Sequence, residues 1–169
     1  HSMPESVVSE HRTLLERSPA EREERGIGDD RLVEALLTVI EQGGREEKVV
    51  TDCALPELDL DFRTVDSDNN YPIVFRNCRF DGPISAIDAD VTVPVRFENC
   101  EIGGFRLEGA RFEFDFVVVN STVTSETDAF EARFDDRFGV TGSTFEAPVA
   151  LEEARFGNDA DFDDATFQA

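Results

Sequence analysis

From Cys78 onward a small residue, any residue and an apolar residue recur nine times: Cys78-Arg-Phe80, Ala89-Asp-Val91, Cys100-Glu-Ile102, Ala110-Arg-Phe112, Ser121-Thr-Val123, Ala132-Arg-Phe134, Ser143-Thr-Phe145, Ala154-Arg-Phe156 and Ala165-Thr-Phe167. The apolar members follow one another at 11 residues, with a single step of 10 between Ile102 and Phe112. A looser series lies between them: Phe75, Ile87, Phe97, Leu107, Val118, Phe130 (with Ala129 as its alternative), Val140, Leu151 and Phe162. The unit is therefore five plus six residues, an internal repeat.

No continuous helix or strand can use this spacing. Residues five apart on a helix point about 140° away from each other, so they form no common stripe. Gly103, Gly104, Gly109, Gly139, Gly142, Pro94 and Pro148 would also interrupt such a helix. In a strand, positions five apart face opposite sides. A chain that turns about a quarter circle at every repeat satisfies both series. Each apolar residue, and the small residue two places before it, then points into one narrow tube, and residues about 22 apart stack at the inter-strand spacing of about 4.8 Å.

Four columns are expected on this reading: Phe75, Phe97, Val118, Val140 and Phe162; Phe80, Ile102, Val123, Phe145 and Phe167; Ile87, Leu107, Phe130 and Leu151; and Val91, Phe112, Phe134 and Phe156. Cys78, Cys100, Ser121, Ser143 and Ala165 stack in one small-residue column, and Ala89, Ala110, Ala132 and Ala154 in another, leaving room for the large residues.

The segments Cys78 to Gly82, Ala89 to Val93, Ala110 to Phe114, Ala160 to Asp164 and Ala165 to Ala169 match the unit of the pentapeptide-repeat family, which the chain resembles over residues 49–169. The resemblance implies a mainly β fold, a right-handed quadrilateral parallel β-helix. Upstream, Val50, Cys53, Leu55, Leu58, Leu60 and Val65 extend the pattern into a first coil, and Asp66 to Pro72 reads as a surface insertion rich in turn formers. Val123 to Asp128 is a candidate irregular corner.

Residues 1–48 differ, and 1–3 read as a tag remnant. Asp29-Asp30, apolar residues at 32, 33, 36, 37 and 40, and Gly43-Gly44 as a stop predict a helix over 30–42. Residues 5–17 form an earlier amphipathic segment, and Ser18-Pro19 starts a short helix. A stacked tube exposes apolar residues and backbone at its ends, so this helical segment is expected to be the N-terminal cap. At the other end Phe167 falls in mid-coil, which implies either a longer array or an end-to-end homodimer through the C-terminal coil.

Charge sets the remaining expectations. The chain has 38 acidic and 16 basic residues, a net of −22, and Lys48 is its only lysine. That balance suits a halophilic protein, because screening in about 1 M salt confines repulsion to roughly 3 Å. No stretch is apolar enough to span a bilayer and no signal peptide is visible, so a cytoplasmic setting without membrane contact is expected. Three cysteines without metal-ligand spacing agree with a reducing compartment.

No catalytic, cofactor-binding or metal-ligating motif is visible. His11 reads as a solvated surface residue, and Cys78 and Cys100 as small packing residues. Acid pairs such as Asp135-Asp136 and Asp163-Asp164 are too common in this chain to mark acid-base chemistry. Arg111, Arg133 and Arg155 form an outer column, expected to be neutralised by Glu131, Glu153 and other nearby acids.

The reading that follows is a non-enzymatic structural or protein-interaction rod, with no cofactor and no direct nucleic-acid binding. The alternative, implied by the family resemblance, is a DNA mimic acting on a type II topoisomerase (DNA gyrase). Residues 73–169 carry 20 acids and 8 bases, a net of −12. Spread along stacked coils this is one charge per roughly 1.8 Å, near the value for duplex DNA. Residues 1–72 carry a net of −10, which is slightly denser, so the acidity is not peculiar to the rod. An enzyme is the third class.

Overall fold

The computed structural model describes residues 5–168. The N-terminal region holds three helices, α1 (Glu5–Glu16), α2 (Pro19–Glu24) and α3 (Asp29–Gln42). At α2 the Ser18 Oγ accepts a hydrogen bond from the Glu21 N–H at 3.2 Å, and Pro19 occupies the first turn. Gly28 caps α3 without a side-chain bond, so Asp29 and Asp30 act there through the helix dipole.

The remainder is a parallel solenoid with four walls. Wall A stacks six strands (Val49–Thr51, Ile73–Arg76, Val95–Glu98, Phe116–Val119, Phe138–Gly139, Ala160–Asp161). Wall B stacks another six (Ala54–Leu55, Arg79–Phe80, Glu101–Ile102, Thr122–Val123, Thr144–Phe145, Thr166–Phe167). Wall C stacks five (Leu58–Asp59, Ile84–Ser85, Phe105–Arg106, Thr127–Asp128, Val149–Ala150), and wall D five (Thr64–Val65, Asp90–Val91, Arg111–Phe112, Arg133–Phe134, Arg155–Phe156). Every strand pairing is parallel with a strand of the neighbouring coil, so the backbone ladder runs along the rod while side chains alternate between tube and solvent.

Three of the four expected columns form. Phe75 pairs with Phe97 on wall A, Phe80 with Ile102 on wall B, and Phe112 with Phe134 and Phe134 with Phe156 on wall D. The wall C column is corrected. Ala86 and Ala129 are buried there together with Leu107, whereas Ile87 is half-buried and Phe130 is exposed. The inward place opposite the ring-filled walls accepts only a small residue in these two coils, and the large neighbour is turned outward.

The rule of a small residue two places before each apolar one also holds on only two walls. Walls B and D obey it. On wall A the position holds Ile73, Val95, Phe116 and Phe138, and on wall C Leu58, Ile84, Phe105, Thr127 and Val149. The large residues at this position on walls A and C meet each other and the wall D rings inside the tube, while the small residues of walls B and D make room for them: Phe105 to Phe116 is 5.5 Å, Phe116 to Phe134 5.6 Å and Phe134 to Phe138 4.6 Å between ring centroids.

Two corners of each coil use the left-handed backbone region. Between walls A and B it is taken by Asp52, Asn77, Asn99, Asn120, Gly142 and Asp164, residue types that tolerate it. Between walls C and D the same role falls to Phe62, Asp88, Gly109, Glu131 and Glu153. The short corners between walls B and C are Pro56-Glu57 and Gly103-Gly104, whereas the corner within the expected Val123 to Asp128 has the same three-residue length as those over 81–83 and 146–148. Gly104 has φ of 112°, and a Cβ there would stand 2.7 Å from the Glu126 carbonyl oxygen. Gly104→Ala is expected to cost roughly 2 kcal/mol in chemical denaturation. Gly139→Ala, whose Cβ meets nothing closer than 3.9 Å, should fall within about 1 kcal/mol of the parent.

The helices close the first coil. Leu32, Leu36, Val39 and Ile40 of α3 are buried in the same apolar cluster as Leu55, Leu58, Leu60 and Val65. Side chains also satisfy the free strand edges: the Thr51 N–H donates to Glu16 Oε2 at 3.2 Å, and the buried Arg22 donates through Nη2 to the Ala54 carbonyl at 2.7 Å.

Candidate interaction surfaces

Cys53, Cys78 and Cys100 are free, buried and stacked along wall B. The Cys53 thiol donates to Cys78 Sγ at 2.9 Å, and Cys100 Sγ lies 3.3 Å from the Phe75 carbonyl oxygen. Hydrogen bonding with Cys100 lowers the Cys78 pKa, but the bond with Cys53 and burial outweigh it and push it up to about 12. The bond to Cys78 and burial also raise that of Cys100. Cys78 and Cys100 therefore remain thiols at neutral pH, and a neutral buried thiol is a packing group rather than a nucleophile or ligand. All three are expected to resist an aromatic disulfide reagent in the folded protein and to titrate fully in denaturant; rapid reaction of Cys78 without denaturant would contradict the packing. Among the described residues, no group of three or more His, Cys, Asp and Glu is placed to hold a metal ion.

The outer faces of the walls differ in chemistry. Wall B presents Thr122, Thr144 and Thr166 in register. Wall D presents Arg111, Arg133 and Arg155 in register, as the sequence suggests. Among the described residues only Arg111 of this column is ion-paired, with Glu113 3.2 Å from its Nη1 and Asp135 2.8 Å from its Nε, so the expected neutralisation is limited to one of the three. Among the described residues Glu131 and Glu153 make no ion pair, because they occupy the left-handed corner positions away from the ladder. On wall A, Glu98 is held by Arg76 at 2.7 Å and by Arg96. Burial alone would raise the Glu98 pKa, and the two guanidinium groups outweigh it and lower it.

Lys48 makes a polar knot. It has no exposed surface, and its Nζ donates to Ser67 Oγ at 2.6 Å, Asn69 Oδ1 at 2.8 Å and the Tyr71 carbonyl at 2.9 Å. Asn69 Nδ2 in turn donates to the Gly43 carbonyl at 2.9 Å, and the Asp68 N–H to that of Glu41 at 2.9 Å. The insertion over 66–72 is thus a strap that fastens the end of α3 to the first coil. Desolvation lowers the Lys48 pKa to about 8, against a smaller opposing effect of Asp68.

Residues 75–122 match the family described as pentapeptide repeats (9 copies). No curated protein and no solved structure matches the chain. The matched stretch lies within the solenoid, where the walls of neighbouring coils pair in register.

The voids inside the tube are small, about 20 and 50 Å³, and are lined by apolar side chains apart from Thr127. The open grooves lie outside. One of about 580 Å³ notches wall C at the short Gly103-Gly104 corner and is bordered by Arg106, Glu108, Glu126 and Asp128. Another of about 380 Å³ is lined by Asp29, Asp30, Glu57, Asp59, Asp61 and Arg63. His11 borders a third of about 520 Å³, with Arg17, Arg25 and Arg31. His1 lies outside the described residues.

Periodicity did not single out the apolar residues of the corner between walls C and D. The looser series places Ile87, and Phe130 with Ala129 as its alternative, in the interior, and Phe62 belongs to neither series. The usable signal was local: Phe62 follows Asp61 in a place that later coils fill with Asp88, Gly109, Glu131 and Glu153.

Proposed function

We propose that the whole solenoid is a pentapeptide-repeat rod of an 11-residue variety, and that it works in the cytoplasm as a non-enzymatic protein-interaction scaffold. The observation that carries this reading is an interior filled by side chains, beneath outer walls whose residues repeat in register and whose grooves are open and polar. Such a surface offers repeated contact positions rather than an enclosed site where reacting groups converge. Among the described residues, no helix is long and apolar enough to cross a membrane.

The last described coil offers a second contact surface. Phe162 is 39% exposed and Phe167 49%, with their rings against Phe138 and Phe145 of the preceding coil, 5.7 and 5.2 Å away between centroids. End-to-end self-association through these residues is the homodimer this reading includes. Affinity capture with the full chain in molar salt tests the interaction function. A defined partner retained at stoichiometric amounts is the expected outcome, and none in any salt overturns it. Sedimentation of Phe162→Ser/Phe167→Ser against the parent reports the homodimer.

A DNA mimic of the gyrase substrate remains the second reading, favoured by the charge density along the rod. Inhibition of supercoiling by micromolar protein, with a salt-tolerant gyrase, would move it to first place. The salt-adapted reading of the acidity carries its own expectation: the melting temperature falls on dialysis from molar to dilute salt, as screening of the net charge of −22 is withdrawn. An unchanged Tm would contradict it.

A further inference from the structure

The corner between walls C and D carries apolar side chains that packing does not explain. Phe62 has φ of 63° and is 75% exposed. A bulky residue is disfavoured in the left-handed region, and an exposed ring gains nothing from folding. The equivalent places in later coils hold Asp88, Gly109, Glu131 and Glu153, so the turn itself does not require an aromatic residue. The Phe62 N–H donates to the Ile87 carbonyl at 2.8 Å, which sets Ile87 next along the same edge. Phe130, 40% exposed, lies two coils beyond Ile87. The three residues are spaced along one edge of the rod over about 14 Å, taking about 4.8 Å per coil, with Glu108 in the coil between Ile87 and Phe130, and are called the ridge below.

Acid flanks both ends of this ridge. Phe62 stands in the chain between Asp61 and Arg63, which line the groove that also holds Asp29, Asp30, Glu57 and Asp59. Phe130 follows Asp128, whose Oδ1 accepts its N–H at 3.0 Å, and precedes Glu131. Glu108 occupies the same outer column between Ile87 and Phe130, and its Oε1 is enclosed with no hydrogen-bond partner among the described residues.

We propose that this ridge is a docking site for a basic amphipathic segment of a partner protein. Apolar side chains of the segment cover Phe62, Ile87 and Phe130, and its Arg or Lys side chains meet the exposed acids on either side. A second copy of the chain is the poorer occupant, since it would bring the same acidic borders against these. The inference rests on the interaction reading above and names the surface and the chemistry of its partner.

The test uses the full chain, at the lowest salt where it still melts cooperatively, and two synthetic peptide probes. Both probes carry the same arginines; one has leucines on its apolar face and the other serines there. Fluorescence anisotropy is expected to show the leucine peptide binding about tenfold tighter, and Phe62→Asn/Phe130→Gln is expected to abolish that difference. The same variant should melt at or above the parent temperature, because Asn relieves the left-handed strain, so loss of binding would not reflect unfolding. Equal binding of the two peptides, or a preference that survives in the variant, overturns the proposal. Self-association of the parent that the variant abolishes also overturns it, in favour of a second copy. In the capture experiment, a partner held equally by parent and variant overturns the ridge and leaves the interaction reading standing, whereas no captured partner in any salt removes that reading itself.

Discussion

Phe134→Ala is expected to destabilise the solenoid by about 4 kcal/mol, measured as a shift in the denaturant midpoint. The ring has no exposed surface and stacks between Phe112, 5.4 Å away at 6°, and Phe156, 5.5 Å away at 11°. It also touches Phe116 and Phe138, so its removal leaves a cavity walled by four other rings that are fixed by backbone ladders and cannot collapse inward. The consequence is directional. In a stacked array each coil is stabilised by its neighbours, and the helices close one end of this one. The variant is expected to lose amide protection first in the coils from Phe134 towards the C-terminal end, while the first coils stay protected. Uniform loss of protection along the rod would mean that the coils are not coupled through this column.

Lys48→Met should cost about 3 kcal/mol, the second largest effect. Met fills nearly the same volume but donates nothing, leaving Ser67 Oγ, Asn69 Oδ1 and the Tyr71 carbonyl without the ammonium that joins them. The strap over 66–72 should then exchange its amides faster, and α3 should lose part of its hold on the first coil.

The pH dependence has an unusual sign. The Lys48 pKa is about 8 in the folded chain and near 10.5 when unfolded. Between those values the unfolded chain holds a proton that the folded one releases, so Lys48 ionisation makes stability rise with pH across that window, by at most about 3 kcal/mol. The stability gap between the parent and Lys48→Met isolates this effect from other titrating groups. It is expected to widen from pH 8 to pH 10, and a gap that narrows would contradict the lowered pKa.

The tube was legible in the sequence because its interior is repetitive. Phe75, Phe97, Phe112, Phe134 and Phe156 recur at fixed intervals since each wall must present one side chain per coil to the same column. Wall C is harder to read where the choice lies between adjacent residues: Ala86 is buried in place of the expected Ile87, and Ala129, the alternative to Phe130, is the buried one of that pair. Hydrophobicity alone chooses the larger residue, whereas the space left by Phe105, Phe116 and Phe138 chooses the smaller. The small-residue rule failed on walls A and C for a related reason. Walls A and C face each other with large side chains such as Phe105 and Phe116 in contact, and the room for them comes from small residues on the adjoining walls B and D.

The polar knot was invisible for a different reason. Lys48 and the turn formers over 66–72 are ordinary separately, and only the backbone path brings them together. The ridge at Phe62 lay further out of reach, because it depends on a corner conformation that no spacing shows.

The central claim is that successive coils stack one above another at a fixed interval. Spin labels at Arg79 and Thr166, exposed on wall B and separated by four coil steps, test it by pulsed dipolar spectroscopy. Stacking at about 4.8 Å per coil gives a backbone separation near 19 Å, so a narrow distribution around that distance, widened only by the label linkers, is expected. A maximum beyond about twice that distance, or a broad spread without a maximum, would contradict the stacked walls and the columns built on them.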